Sequence, residues 1–442
     1  MSAKIKAGEI RKEHEDLSKD ELLDKLVDEI LENEKLKKKL RKYENPHTPP
    51  SKQGFEKPEA KGIPVGRKKG KKSGHKGKTR ELEEPTQTIE VTTDFNPVTG
   101  NYHIKEIDEY EERTIIDFKI EKTVTLYRIH YYKDLDTGEI FSAIHQDLPD
   151  KGIFGKNILA LANELHFEHR VPLEHVASIF TNVFEIPMTA PTVLDICNRV
   201  AEKVLPNYDA LQEEIKDASV VNGDETGSNQ NGRQEWLWGF FSSTVAFFVF
   251  FHKRGGDIVE KILGKDFKGI LGCDGWSTYR VYSEKYGILL QRCWAHLLRE
   301  VKYACKDDKD LEAAYIWMND IFKRVKKARL LKRQSLRKKR YNAFVEELDR
   351  WVQIYGHYQK MRKLVTLVKN GEEFWFTCVL YPEVEPTNNR AERGIRKFVI
   401  LEKIMGCLRS EQGKRTTQTM MSLFGTWRLQ GLNPYKELRA IL

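Results

Sequence analysis

The sequence predicts a multidomain α/β protein, and three observations carry that reading. The 442-residue chain exceeds the usual size of one domain. After Ala218, short apolar runs bounded by glycine or polar residues alternate with helical patterns. Residues 46–85, by contrast, are dominated by proline, glycine and charge, a composition that cannot close a core.

Taken in order, residues 16–43 form one charged helical stretch. Leu22, Leu26, Leu36, Leu40 and Tyr43 fall on alternating steps of three and four, with Glu29 and Asn33 completing the seam. An Asn at a seam position selects register and a two-stranded state. Residues 1–45 therefore read as a coiled-coil segment, with a helix packed on its own protein as the alternative. Pro46 stops the helix, and a basic Pro/Gly-rich linker occupies 46–85. Within it, Gly66–Arg80 holds eight basic residues (Arg67, Lys68, Lys69, Lys71, Lys72, Lys76, Lys78, Arg80) and no acid. Two readings stand: a solvated linker, or an arm that docks on phosphates and gains affinity by counterion release.

Residues 86–150 read as a small β-rich module. TIEVTT, RTIIDFKIEKTVTLYRIHYYK and EIFSAI are rich in β-branched and aromatic residues, with turns at Asn96–Gly100 and Asp134–Gly138. Residues 151–217 are helical, and Leu173–Phe180 and Ala190–Val200 flank Pro187 at a helix-turn-helix spacing. Arg199 is the one base on the second helix, so ordinary packing competes with DNA reading. ASVVNGDETG, EWLWGFF, VAFFVFFH, GILGCDGW and GILLQRCWAH are the expected strands of an α/β core over 218–305. Residues 306–380 form a basic helical insertion, and 381–442 complete the core. Lys323–Arg340 has too few apolar residues for a core helix and reads either as a solvated face or as part of a DNA-holding surface.

Lys and Arg outnumber Asp and Glu by 75 to 66, a net charge of +9, and the clustering of the excess favours polyanion partners. No run approaches the roughly 18 apolar residues of a membrane span, and the N-terminus lacks an apolar signal core. Six cysteines without a Cys-x-x-Cys pair read as reduced thiols, which points to a cytoplasmic protein.

Three acids stand out by their surroundings. Asp224 follows the apolar run Ala218–Val221 and enters Gly-Asp-Glu-Thr-Gly; Asp274 follows Gly269–Cys273 and enters Asp-Gly-Trp. Glu392 lies in NNRAERGIRK, a helix start with Asn389 as its expected cap. Two carboxylates at strand ends and a third on a helix can converge, and such convergence suits magnesium, which takes oxygen ligands. Glu225, as the strand neighbour of Asp224, is expected to point elsewhere.

These residues carry a specific resemblance. Asp224-Glu225-Thr226, Asp274-Gly275-Trp276, Cys293-Trp294-Ala295-His296, Asn388-Asn389-Arg390-Ala391-Glu392-Arg393 and Gly431-Leu432-Asn433-Pro434 resemble the insertion sequence 66 (IS-66) family of transposases. So do Pro49-Pro50-Ser51 and Gly74-His75-Lys76-Gly77 upstream. The resemblance implies a DDE-type DNA transposase with an RNase H-like catalytic core interrupted by a helical insertion. It makes Asp224, Asp274 and Glu392 the catalytic, metal-binding triad, with magnesium as cofactor and manganese as a substitute. Partners would be element-end and target DNA, at least a second copy of the chain, and accessory proteins of the same element. Location would be cytoplasmic, and on the nucleoid when DNA-bound. A non-catalytic DNA-binding derivative, or an RNase H-like nuclease that does not join strands, is the alternative.

One departure matters. Relatives commonly carry a Cys-x-x-Cys zinc module after the basic linker, but the turns here, Asn96–Gly100 and Asp134–Gly138, contain no thiol. No zinc is expected there. Cys293 and His296 could supply two zinc ligands, with Cys273 as a third, but there is no second pair, so Trp294 is read as core packing instead. His296 is either structural or a phosphate or carboxylate partner at the site. Arg393 and Arg396 either meet DNA phosphate, which guanidinium binds in bidentate fashion, or make salt bridges on the helix surface.

The arm reading has a direct test. Replacing the eight basic residues of Arg67–Arg80 by Gln should weaken DNA binding and flatten its salt dependence, by roughly 0.9 of a log–log slope unit for each phosphate no longer neutralised. An unchanged slope in a binding titration across salt concentrations would identify a plain linker.

Overall fold

The computed structural model describes Glu32, Asn33, Leu36 and residues 84–94, 96–105, 111–145, 148–149, 151–255, 257–306 and 308–442. The coiled-coil segment and the basic arm fall outside these residues, except that Glu32, Asn33 and Leu36 are helical and exposed. The chain divides into two units, one of 49–123 and one made of the remainder.

In the first unit, the described residues carry no helix or strand. The turn expected at Asn96–Gly100 does form: the Asn96 side chain accepts from the Val98 and Thr99 amides, and Gly100 closes it at a φ of +70°. Asp134–Gly138 in the other unit forms the same turn, with Asp134 accepting from Asp136 and Thr137. It joins the short antiparallel strands β1 (Tyr131–Lys133) and β2 (Ile140–Ser142). The β-rich module predicted over 86–150 is thus corrected to one small hairpin among the described residues. The reason is burial: strand propensity measures fit to a half-buried surface, yet Ile115 and Val124 are more than four-fifths exposed.

The second unit continues with α1 (Lys156–Asn163), a π-helical turn (Glu164–Glu168), α2 (Leu173–Val183), α3 (Ala190–Lys203) and α4 (Leu205–Lys216). Helices α2 and α3 are the helix pair expected from sequence, and Thr189 caps α3 by accepting from Thr192 N–H. Arg199 is engaged by Asp195 and by the Lys151 carbonyl, and Asn198 accepts from Thr416. Helix α3 is therefore occupied with packing. Its Val193, Ile196 and Val200 belong to the same apolar core as the sheet, so 151–217 does not close a separate core.

The sheet follows: β3 (Val220–Gln230), β4 (Arg233–Phe241), β5 (Ala246–Phe251), β6 (Ile270–Cys273) and β7 (Leu290–Arg292), in the spatial order β5-β4-β3-β6-β7. The first three form an antiparallel meander, and β6 and β7 extend it in parallel with β3. Asn231 and Gly232 both have positive φ, the paired requirement of the two-residue turn that matches strand twist. Helices α5 (Asp257–Leu263) and α6 (Ser277–Tyr286) make the connections to the parallel strands.

Past β7, α7 (Trp294–Ala304), α8 (Lys309–Arg329), α9 (Gln334–Tyr355), α10 (Arg362–Lys369) and α11 (Thr377–Leu380) build a second apolar core. Trp294, Trp351 and Trp375 are buried in it, each with its indole N–H donating to a backbone carbonyl. The expectation that Lys323–Arg340 is not core-forming needs correction. The stretch is not one helix but the end of α8 and the start of α9, and its Val325 and Ala328 enter the core. A few apolar residues suffice when the helices splay their charges outward.

The chain returns through α12 (Asn389–Met405), α13 (Glu411–Leu429) and α14 (Pro434–Ile441). Helix α12 lies on β3 and β4, so close that a Cβ at Gly394 would overlap the Phe241 ring. Helix α13 covers β5, an edge strand whose unpaired amides would otherwise lie buried. Gln418, Ser422 and Thr426, four residues apart on one helix face, accept from Phe250, Phe248 and Ala246, two apart on the strand. The helical rise of four residues, about 6 Å, matches two strand residues at about 6.6 Å. All six cysteines are free thiols. Among the described residues no helix is long and apolar enough to cross a membrane.

Ser422→Ala tests this edge seal. The Phe248 amide would lose its buried acceptor, so unfolding stability should fall by about 1–3 kcal/mol. Urea denaturation showing no loss would mean that the side-chain ladder contributes nothing.

Candidate functional site

The parallel register of β3 and β6 sets Asn222 beside Gly272. Continued by two residues, that register brings Asp224 and Asp274 level with each other. Asp274 directly follows β6, but Asp224 does not end its strand as expected, since β3 runs on to Gln230 in its hairpin with β4. Gly272 has no room for a Cβ because the Asn222 amide group occupies that space. Asn222 in turn donates to the Asn388 side-chain oxygen at 2.9 Å, and Asn388 donates to the Gly223 carbonyl at 2.8 Å. The Asn388 amide donates to Cys293 Sγ at 3.1 Å. These three bonds pin the N-terminus of α12 to β3 and to the start of α7.

One turn into α12, the amide of Glu392 bonds the Asn388 carbonyl, and its side chain is half-buried. Asn388, not Asn389, is the N-cap, and its side chain reaches the sheet instead of capping the helix. The three acids share one electrostatic neighbourhood. Burial pushes the Asp224 carboxyl well above the usual range, and the charges of Glu225, Asp274 and Glu392 push it the same way. Asp274 accepts from the Trp276 amide at 2.9 Å, which fixes its carboxylate. Glu392 Oε1 is buried, makes no hydrogen bond, and lies 3.6 Å from His296 Nδ1.

Glu225 takes the opposite face of β3. Its Oε2 accepts from Tyr279 at 2.8 Å, and its Oε1 accepts from Arg254 Nε at 3.1 Å and Nη2 at 2.5 Å. Arg254 lies over the Trp276 and Trp236 rings, at 4.0 and 4.8 Å from their centroids. Burial, then the charge of Asp274, raises the Glu225 pKa, and its donors act against them. With both oxygens engaged, Glu225 is a structural anchor in this geometry.

Arg393 and Arg396 are exposed on α12. Arg67, Lys68, Lys69, Lys71, Lys72, Lys76, Lys78 and Arg80 lie outside the described residues. Two further groups were not singled out from sequence. Asn388 resembles an ordinary cap in the pair Asn388-Asn389, so nothing local marks it. Arg292 carried a visible signal, a cation ending an apolar run. It is buried beside Cys273, donates to the Gly275 carbonyl at 3.3 Å, and is held below the usual arginine range mainly by burial.

Residues 151–416, which include all three acids, match the Transposase IS66 family. A curated protein of Sinorhizobium fredii, "Uncharacterized protein y4qI", is 28% identical over 269 residues, covering 53% of this chain and 49% of that one. The chain thus spans about half the length of this relative. With the match extending over more than half of its residues, the chain belongs to the Transposase IS66 family.

Proposed function

We propose that this chain is a DDE-type DNA transposase whose Asp224, Asp274 and Glu392 form a magnesium-binding catalytic triad in an RNase H-like core. The observation that carries the proposal is the convergence described above: Asp224 within β3, two residues past its parallel pairing with β6, Asp274 directly after β6, and a third acid on a helix pinned to β3. The antiparallel meander extended by two parallel strands supports the fold reading, and family membership supports the class of reaction.

The donor set fits the ion. All the proposed ligands are hard carboxylate oxygens, one of them, Glu392 Oε1, is buried without a hydrogen-bond partner, and the cluster's mutual repulsion calls for a cation. Two divalent ions held there would activate an attacking oxygen and stabilise a leaving one. Strand β3 holds Asp224, the Trp276 amide orients Asp274 just past β6, and the Asn388 clamp sets the reach of Glu392. In the first reaction, water adds to phosphorus at the element end, and the bond to the 3′ oxygen breaks to leave a free 3′-hydroxyl. That hydroxyl then attacks a target phosphodiester, forming a new ester and releasing the target's own 3′-hydroxyl. Arg393 and Arg396, exposed on the helix that carries Glu392, are placed to meet DNA phosphates. A dimer or larger assembly would hold both element ends.

Asp224→Asn, Asp274→Asn and Glu392→Gln should each abolish cleavage of labelled element-end DNA, on the order of a thousandfold or more in rate, while DNA binding persists. Glu225→Gln should keep substantial cleavage. Cleavage by Asp224→Asn, with Glu225→Gln dead, would show that the wrong neighbour had been chosen. Binding without cleavage by the unaltered protein would favour the non-catalytic reading, and cleavage without joining a nuclease.

Asp224 also gives a pH test. Its folded-state pKa is raised, so both states are protonated at low pH and the folded state is disfavoured as pH climbs past the unfolded value of about 3.9. In chelator, Asp224→Asn should therefore melt higher than the unaltered protein near neutral pH, with the gap closing in acid. A gap that is absent or reversed at neutral pH would contradict the crowding of charge at this site.

A further inference from the structure

Glu392 faces a second set of groups. Cys293 is the N-cap residue of α7 and His296 lies one turn on, so the two share a side of the helix. The sequence alone offers this pair, with Cys273 as the candidate third ligand. The fold adds Glu392 from α12, and one ligand atom from each of the three residues lies within 4.8 Å of the other two.

We propose that Cys293, His296 and Glu392 form a zinc site with an open fourth position. The 3.6 Å between His296 Nδ1 and Glu392 Oε1 is too long for a hydrogen bond. It is close to the roughly 3.4 Å that separates two ligands each about 2.1 Å from a tetrahedral ion. The third ligand is prepared as well: Cys293 Sγ accepts the Asn388 amide, the kind of outer-shell donor that supports a metal-bound thiolate. Glu392 Oε1 is buried and makes no hydrogen bond, so a ligand oxygen is in place. The mixed sulfur, nitrogen and oxygen set suits zinc and excludes magnesium, which does not take thiolate. Three protein ligands leave room for water or a phosphate oxygen.

The site stands on its own geometry. Its consequence rests on the proposed function: zinc would withhold Glu392 from the magnesium cluster and so inhibit cleavage.

The test uses the full chain, stripped with chelator and titrated with cobalt(II) as a visible stand-in for zinc. Stoichiometric binding with an intense thiolate-to-cobalt absorption band, displaced by zinc, is the expected result. Cys293→Ser should lose the band. His296→Gln, at a half-buried position, should weaken binding on the order of tenfold or more with the circular dichroism unchanged. Asp224→Asn and Asp274→Asn should keep the band, which separates this site from the triad. The proposal is overturned by no band in the unaltered protein, by a band that survives in folded Cys293→Ser, or by His296→Gln binding cobalt as tightly as before. Failure of the triad to cleave DNA would leave these results untouched.

Discussion

Asn388 makes no contact that chemistry at a phosphodiester would require, yet the seat of Glu392 beside the sheet depends on it. Its side chain bridges Asn222 and the Gly223 carbonyl, while its amide reaches Cys293. Three elements far apart in sequence are thereby tied within one turn of Glu392: strand β3, helix α7 and helix α12. All of these groups are buried, so each bond left unmade would cost about 1–3 kcal/mol of desolvation. That penalty makes the arrangement selective. Small displacements of α12 leave donors stranded, and the helix has one favourable seat on the sheet.

The same seat is enforced from the other end. Gly394 lets α12 descend onto the Phe241 ring, and Gly239 on β4 leaves room for Ile395. A side chain at either glycine would lift the helix and carry Glu392 away from Asp224. Helix α13 then holds the outer strand through hydroxyl and amide acceptors, so the amides at the edge of the meander are satisfied. Between them the two helices pack the returning chain against the sheet, α12 on β3 and β4 and α13 on β5.

How much of this was legible follows from where the information resides. The sheet strands were readable because each is a compact apolar run, and Asp224 and Asp274 stand out as candidates because a charge ending such a run is costly unless paired. Glu392 had no such local mark; the resemblance of its motif supplied it. Asn388 and the pairing of Cys293 with Glu392 were invisible, since they join residues about a hundred positions apart through tertiary contact. The region 86–145 was misread for the converse reason. Its β-branched residues state a local preference, but no partner surface buries Ile115, Val124 or Ile144 in this structure, and only one hairpin forms among the described residues. Lys323–Arg340 was misread because charge content was judged over a continuous helix, whereas the chain breaks between α8 and α9.

The choice between the two adjacent acids, Asp224 and Glu225, is finally a matter of register. Side chains alternate along a strand, so a slip of one residue would exchange the faces of both. The β3–β4 hairpin prevents it by two means. The Asn231–Gly232 turn, with positive φ at both positions, admits only a two-residue loop and so fixes Gln230 opposite Arg233 and Asp224 opposite Gly239. On the far face, Glu225 is captured by Tyr279 and Arg254, and Arg254 is itself held against Trp276 and Trp236. A slipped strand would bring Glu225 out of this pocket and put Asp224, with a shorter side chain, against donors it could not reach. The aromatic cage on one face therefore selects the carboxylate presented on the other, and Trp276 serves both sides, since its backbone amide also orients Asp274.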